Sequence, residues 1–131
     1  MMPVSLQVRL FTGFIMHELG LAMSVREIVE DTAAKNGSVK VNAVNIAVGE
    51  FSAVSIDALE FALDVAKKGS CFEDAEIRIT PVKTIFLCDD CKAESIMKDY
   101  VFQCSSCGSA SVKIIAGDRM YVESIDIETG E

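Results

Sequence analysis

A chain of 131 residues, half of them hydrophobic, is long enough for one domain with a small appendage and has the apolar content for a packed core. Its formal net charge of −8 argues against nucleic-acid binding, because phosphate neutralisation needs a surplus of lysine and arginine. No run approaches the roughly eighteen consecutive apolar residues that a membrane-spanning helix needs.

The first fifteen residues, MMPVSLQVRLFTGFI, carry a single charge, at Arg9. They resemble a weak signal-peptide h-region, but Arg9 interrupts the apolar run and no small-x-small cleavage site follows it. We therefore expect residues 1–15 to be an N-terminal extension, such as a start-site artefact from a start codon placed too far upstream, rather than a secretion signal.

The segment after His17 predicts a helix and then a strand. Apolar residues at helical spacing, with charged residues between them, are typical of an amphipathic helix, which Gly37 would end. The inward positions of this helix are Leu21, Val25, Ile28, Val29 and Thr32. VKVNAVNIAVG then alternates and predicts a half-buried strand, with Val44, Ile46 and Val48 on one face.

A second helix should begin near Ser55, which is a favourable N-cap residue, and end near Gly69. Its inner stripe is Ile56, Leu59, Leu63 and Ala66. AEIRITP predicts a second strand with Ile77 and Ile79 inward, and DRMYVESIDIE predicts a third with Tyr121, Ile125 and Ile127 on one face.

The order helix, strand, helix, strand, cysteine-rich insert, strand predicts an α+β fold, with two helices packed on a small sheet of about three strands. Residues 16–82 and 118–131 would form this domain, and residues 83–117 the insert. We expect the strands on either side of the insert to pair with each other, because closely spaced ends let a subdomain be added to an existing sheet.

Four of the five cysteines form two C-x-x-C pairs, Cys88 with Cys91 and Cys104 with Cys107. Two residues between cysteines let both sulfurs converge from one turn, and two such turns complete a tetrahedron around Zn²⁺. Iron in a rubredoxin-like site is the alternative, since ligand geometry does not separate the two metals. Four thiolates leave no open position for a substrate water, so the spacing favours a structural metal.

Neither C-x-x-C pair stands between the strand and helix of a βαβ unit, which argues against a thioredoxin-like redox role. In a chain without a secretion signal, such pairs indicate a metal site rather than disulfides, and this favours the cytoplasm. The fifth cysteine, Cys71, is expected to be an incidental thiol.

His17 is the only histidine, and alone it is weak evidence for a site. Four stretches, however, resemble the HypA/HybF family of nickel metallochaperones in [NiFe]-hydrogenase maturation. They are MHELGLAMSVREIVE at 16–30, VNIAVGEFSAVSIDALEFALDVAKKGS at 44–70, AEIRITPV at 75–82, and the two C-x-x-C pairs followed by GDRMYVESIDIE.

The resemblance implies a nickel-binding α/β domain with a zinc-ribbon-like insert, in which the four paired cysteines hold a structural Zn²⁺, and no enzyme activity. It implies delivery of Ni²⁺ to the hydrogenase large subunit together with the maturation GTPase HypB. Nucleic-acid and membrane partners are not expected, given the net charge and the lack of a long apolar run, and a homodimer stays open. The family's nickel motif, Met-His-Glu, matches Met16, His17 and Glu18.

Ni²⁺ favours nitrogen donors in a square-planar or tetragonal arrangement. An amine on Met16, the His17 imidazole and the deprotonated backbone amides of His17 and Glu18 would supply four nitrogens. In the family this motif is the N-terminus, whereas here fifteen residues precede it and would turn the amine into an amide. We therefore expect Met16 to be the functional start.

Two other classes of function stay open on the residues themselves. A zinc-ribbon adaptor could dock another protein, for example through the acidic tail, without any nickel role. An enzyme, such as a metal-dependent hydrolase or a thiol oxidoreductase, is disfavoured by the closed set of four thiolates and by the lack of a paired acid–base set.

Overall fold

The computed structural model describes residues 2–11 and 18–130, which contain seven strands and two α-helices. In chain order these elements are β1 (Met2–Phe11), α1 (Glu18–Lys35), β2 (Ser38–Gly49), α2 (Ile56–Ala66), β3 (Glu76–Val82), β4 (Ile85–Cys88), β5 (Glu94–Ile96), β6 (Val112–Ala116) and β7 (Met120–Thr129). A short 3₁₀ turn, Glu50–Ser52, follows β2. Within these two ranges, no helix has the length and apolar content to cross a membrane.

Four strands form the main sheet in the order β1-β7-β2-β3. Strands β2 and β3 are parallel, as two strands joined through a helix usually are, and the other neighbours are antiparallel. One face of the sheet is polar: Asn45 Nδ2 donates to Ser124 Oγ at 2.9 Å, and Arg78 Nη1 to Asp126 Oδ2 at 3.1 Å. The helices cover the other face, where α1 packs against α2, β2 and β7.

The hydrophobic core lies between this face of the sheet and the helices. It is built from alternate residues of the strands and from the inward stripes of the helices. The largest fully buried side chains of this cluster are Val25, Val29, Val44, Ile46, Leu59, Leu63, Phe72, Val122, Ile125 and Ile127. Most of the helix and strand positions predicted to point inward belong to this cluster or pack against it.

Local capping explains where the helices end. The Ser55 hydroxyl accepts a hydrogen bond from the backbone N–H of Ala58 at 3.3 Å, as predicted for the N-cap of α2. At the other end of α2, Arg26 Nη1 of helix α1 donates to the carbonyls of Ala66 and Lys68 at 3.0 and 3.1 Å. A cation from one helix thus satisfies terminal carbonyls of the next and ties the two helices together.

The cysteine-containing segment forms a second sheet, with β4 between β5 and β6 and antiparallel to both. This sheet joins the main one at a tight junction. The Thr84 side chain is fully buried and donates from Oγ1 to the Gly117 carbonyl at 2.9 Å. A Cβ on Gly49 would lie only 2.4 Å from the Gly117 carbonyl carbon, so the backbones touch here without room for a side chain.

An aromatic contact bridges the same junction. The ring of Phe51, in the 3₁₀ turn, lies 5.3 Å from that of Phe102, and Phe102 lies 5.0 Å from Phe86 of strand β4. These are ordinary separations for packed aromatic pairs. The contact therefore links the end of β2 to the second sheet.

The predicted α+β fold class, with two helices on a sheet and a subdomain that carries the cysteines, is confirmed. The main sheet has four strands rather than about three, because residues 2–11 add β1 at its edge. The predicted pairing of the strands on either side of the insert is wrong. Strands β3 and β7 lie on opposite sides of β2, since the parallel β2–α2–β3 unit takes one side and leaves the other to β7.

The predicted inward face of the last strand is also partly wrong. Ile125 and Ile127 are buried, but Val122 is buried in place of Tyr121. The pairing of β7 with β2 shifts register between Asn45 and Ile46, and such an irregularity moves the alternation of side chains by one residue.

Candidate metal centre

The second sheet brings the four paired cysteines to one point. Their Sγ atoms all lie within 4.8 Å of one another, with Cys88 and Cys107 3.6 Å apart and Cys91 and Cys104 also 3.6 Å apart. Sulfurs bound to one tetrahedral ion at 2.3 Å would be separated by about 3.8 Å. The arrangement therefore has the dimensions of a tetrahedral thiolate site.

The two C-x-x-C turns have the same backbone geometry. The N–H of Lys92 donates to the Cys88 carbonyl at 3.1 Å, and the N–H of Gly108 donates to the Cys104 carbonyl at 2.9 Å. Both donors have a left-handed backbone, with φ of +64° at Lys92 and +78° at Gly108. Glycine takes this conformation without strain, whereas the first turn places a lysine there.

Each turn also directs backbone N–H groups at the sulfur of its first cysteine. The N–H of Cys91 lies 3.4 Å from Cys88 Sγ, and that of Ser106 lies 3.4 Å from Cys104 Sγ. These first cysteines are buried, whereas Cys91 and Cys107 are exposed. Hydrogen bonds of this kind favour the thiolate form, which is the form that binds a metal.

The charges within the cluster favour a cation at its centre. Backbone N–H groups of Cys107 and Ser106 lower the pKa of Cys104 to about 6, and the backbone N–H of Cys91 lowers that of Cys88. The backbone N–H of Ser109 acts in the same direction on Cys107, but the neighbouring thiols outweigh it and raise the pKa of Cys107 to about 12. Four thiols this close together can all be ionised only when a cation lies among them and offsets their mutual repulsion. The donor set therefore fits a divalent metal.

Hydrogen bonds hold the two turns together. The carboxylates between the first pair of cysteines accept from serines that follow the second pair. Asp90 Oδ2 lies 2.5 Å from Ser109 Oγ, and Asp89 Oδ2 lies 3.2 Å from Ser111 Oγ. Asp89 also forms an ion pair with Lys113 at 3.3 Å. The acidic residues in CDDC and the serines after CSSC are the sequence signal for this contact, and we did not predict it.

Ser95 of strand β5 is a further supporting residue that the sequence analysis missed. Its side chain is buried, its hydroxyl lies 3.8 Å from Cys104 Sγ, and it accepts the backbone N–H of Ser105 at 3.0 Å. An isolated serine in a polar stretch carries no signal of such a role, because only the fold brings β5 against the second turn.

Of the residues predicted to hold nickel, Met16 and His17 lie outside the described residues. Glu18 is the first residue of α1 and is half-buried. The first N–H groups of an α-helix have no acceptor within the helix, so the Glu18 amide nitrogen is not used by the helical hydrogen-bond ladder. Cys71 is exposed and does not belong to the thiol cluster.

Comparison with known proteins finds similar proteins that carry the same name. The hydrogenase maturation factor HypA of Prosthecochloris aestuarii is 34% identical over 113 residues, which are 86% of this chain and all of that protein. The factor of the same name from Parabacteroides distasonis is 40% identical over 113 residues, covering 86% of this chain and 98% of that protein.

The fold has solved counterparts as well. The solution structure of the Ni metallochaperone HypA from Helicobacter pylori superposes with a TM-score of 0.67 at 27% identity, covering 87% of this chain and 99% of that one. Residues 16–127 match the family described as hydrogenase/urease nickel incorporation, metallochaperone, hypA. The resemblance noted from the sequence is therefore confirmed, and the chain belongs to the HypA family.

Proposed function

We propose that this chain is a nickel metallochaperone of [NiFe]-hydrogenase maturation. It catalyses no reaction, binds Ni²⁺ at Met16, His17 and Glu18, and passes the ion to the hydrogenase large subunit together with the GTPase HypB. The family match over residues 16–127, which begins at the methionine of this motif, carries the proposal. The names of the relatives support hydrogenase maturation as the process and nickel as the cargo. Cysteines arranged as metal ligands rather than as disulfides support a cytoplasmic location.

The nickel site uses four nitrogens: the Met16 amine, the His17 imidazole and the backbone amides of His17 and Glu18. The position of Glu18 at the start of α1 supports this set, because binding through its amide nitrogen breaks no helical hydrogen bond. The amine exists only in a chain that starts at Met16, so we propose that start for the working protein and regard residues 1–15 as dispensable for nickel binding.

The second metal is a structural Zn²⁺ held by Cys88, Cys91, Cys104 and Cys107. The four converging sulfurs support a tetrahedral site. Backbone N–H groups lower the pKa of Cys88 and Cys104 and support thiolate ligands there, whereas neighbouring thiols raise the pKa of the other two cysteines, so that these need the cation to ionise. Bound zinc supplies folding free energy to the small second sheet, and the four cysteines, the two aspartates and Ser95 position it there. Elemental analysis separates zinc from iron, and Cys88→Ala should lose the metal while the main sheet persists.

Nickel titration of zinc-loaded protein tests the site directly. A chain starting at Met16 should bind one equivalent of Ni²⁺ beyond zinc, and His17→Ala should abolish that binding without changing zinc content or far-UV circular dichroism. A chain starting at Met1 should bind nickel more weakly. Tight nickel binding by His17→Ala would overturn the site assignment, and equal affinity of the two chains would overturn the role of the amine.

Substitutions at Glu18 separate its backbone from its side chain. Proline has no N–H, yet it is well tolerated at the first position of a helix, so Glu18→Pro removes the proposed ligand at little cost to α1. Glu18→Ala is the matched control, because it keeps the amide and removes only the carboxylate. We expect nickel binding in the alanine variant and not in the proline variant. The opposite result would assign the ligand to the side chain.

A zinc-ribbon adaptor without nickel is the second candidate. Exposed apolar side chains on the second sheet and its loop favour it, with Ile96 50%, Tyr100 63% and Val101 53% exposed. Such a surface suits a protein partner. The nickel titration of the Met16 chain discriminates the two functions, since an adaptor would bind no nickel beyond its zinc.

A further inference from the structure

Strand β1 covers the outer edge of β7 in the main sheet. The two strands are antiparallel, with Met2 opposite Thr129 at one end and Phe11 opposite Tyr121 at the other. Val4 and Leu6 pack against the hydrophobic core, so β1 contributes side-chain burial as well as backbone hydrogen bonds. Residues 2–11 therefore occupy a strand position that is continuous with the core.

The family match contains none of β1, because it covers only residues 16–127. Without β1, the strand order is β7-β2-β3, and β7 becomes an edge strand of ten residues. An edge strand presents unpaired N–H and C=O groups along its length, which is a template for another strand. A chain that starts at Met16 would carry this open edge next to a buried face.

The charges on β7 indicate what kind of strand fits. Its sequence carries three acidic residues, Glu123, Asp126 and Glu128, and no basic one. The sequence of β1 has Arg9 as its single charged residue, and from Val4 to Leu10 its apolar residues alternate with serine, glutamine and this arginine. Two copies of β7 paired antiparallel about Ser124 and Ile125 would set Glu123 opposite Asp126, a like-charge pair in which Arg78 compensates only the second carboxylate. The edge therefore suits a neutral or basic strand better than a second copy of itself.

We propose that the β7 edge is a docking site for an extended segment of a partner protein, which residues 2–11 fill within the long chain and a chain starting at Met16 leaves open. The segment runs antiparallel to β7, places apolar residues where Val4 and Leu6 lie, and carries no acidic residue. This mode of recognition is β-augmentation, in which backbone hydrogen bonds give affinity and alternate side chains give specificity. That the edge is open in the cell rests on the proposed function, because it requires a chain that starts at Met16.

The same N-terminus would then control two properties. Beginning at Met16 creates the amine that the proposed nickel site needs, and it removes the strand that covers β7. A nickel-competent chain is thus also one that can accept a partner strand. This links cargo binding to docking without any conformational change in the rest of the sheet.

The test uses a fluorescein-labelled peptide of residues 2–11 and the full zinc-loaded chain, with fluorescence anisotropy as the readout and no nickel present. The double variant Val4→Asp and Leu6→Asp weakens β1 in the chain by burying carboxylates against the core. It should bind the peptide about tenfold or more tightly than the wild-type chain, where the tethered strand competes at high effective concentration. The matched control is the same peptide with both aspartates, which should not bind.

A chain starting at Met16 forms the second arm and should bind the peptide at least as well as the double variant. Hydrogen exchange on residues 121–129 should slow when the peptide is added. Equal binding by the wild-type chain and the double variant, or no binding by either altered chain, overturns the proposal. Self-association that protects β7 and excludes the peptide would assign the edge to a second copy instead. Because nickel is absent, failure of the nickel site leaves these results unaffected.

Discussion

Alanine substitution of Gly117 tests whether the junction between the two sheets is as tightly packed as its backbone contacts indicate. A Cβ at this position would lie 2.4 Å from the Lys83 carbonyl oxygen and 2.6 Å from Thr84 Cα. These are backbone atoms, so no side-chain rotation relieves the overlap. In addition, Gly117 has a φ of +80°, which an L-residue adopts only at a cost.

The chain offers two glycines that separate these costs. Gly69 has a φ of +74° but open space around its Cβ position, whereas Gly49 has a φ of −67° and a Cβ position 2.4 Å from backbone atoms of Gly117. A left-handed backbone destabilises alanine by about 1–2 kcal/mol, and overpacking destabilises the folded protein by about 1–3 kcal/mol. The lower conformational entropy of the unfolded alanine variant offsets about 0.5–1 kcal/mol of this loss. Loss of unfolding free energy should thus be about 0.5–1 kcal/mol for Gly69→Ala, 1–2 for Gly49→Ala and 2–4 for Gly117→Ala.

Urea unfolding of the zinc-saturated protein, followed by far-UV circular dichroism, measures the three variants under one condition. Zinc must stay in excess, because metal loss would add its own term to the free energy of unfolding. If Gly117→Ala is no less stable than Gly69→Ala, the backbone overlap carries no cost. The junction would then be a loose contact, and the description of a tight junction would be refuted.

Three further outcomes follow from local contacts. Ser55→Ala removes the hydroxyl that accepts the Ala58 N–H and should lower the free energy of unfolding by about 1 kcal/mol in the same urea experiment. An unchanged midpoint would show that this hydrogen bond does not stabilise α2. Lys92→Gly should raise the free energy of unfolding by about 0.5–1 kcal/mol, because glycine adopts the left-handed φ of +64° without strain. Gly108→Ala should lower the free energy of unfolding for the converse reason. A lower stability of Lys92→Gly would show that the lysine backbone is not strained. Removing zinc with a chelator should abolish hydrogen-exchange protection in β4 and β6 but leave β2 protected, and simultaneous loss in both sheets would show that the zinc site stabilises the whole protein.

The parts of the fold that depend on local sequence were predictable. The apolar stripe and the serine cap of α2 lie within about a dozen residues, and both are where the sequence places them. The two C-x-x-C turns are equally local, because two residues between cysteines fix how their sulfurs converge. Ser95 could not be assigned in this way, since its contact with Cys104 is created by the packing of β5 against the second turn.

Strand order was the main failure, because it depends on contacts between distant parts of the chain. The closely spaced ends of the insert led to the prediction that β3 and β7 pair. Two chain ends can lie close together, however, without belonging to strands that are hydrogen-bonded neighbours. Since β3 follows β2 through a helix, the two strands pair in parallel, and β7 takes the free side of β2. Tyr121 was assigned to the wrong face for a related reason: an irregularity in pairing leaves no mark in the sequence of one strand.

For the first fifteen residues, the spacing of apolar residues predicts structure that their composition alone does not. Their apolar content suggested a weak signal region or a translation artefact, yet Val4, Leu6, Val8 and Leu10 alternate strictly with other residues. Alternation is the pattern of a strand with one buried face, and this segment lies as β1 beside a strand more than a hundred residues further along the chain. The segment Met2–Phe11 also carries no acidic residue, whereas the paired strand β7 carries three. The pairing of β1 with β7 therefore shows that this edge accepts a strand with one apolar face and no acidic residue, here one supplied by the chain itself.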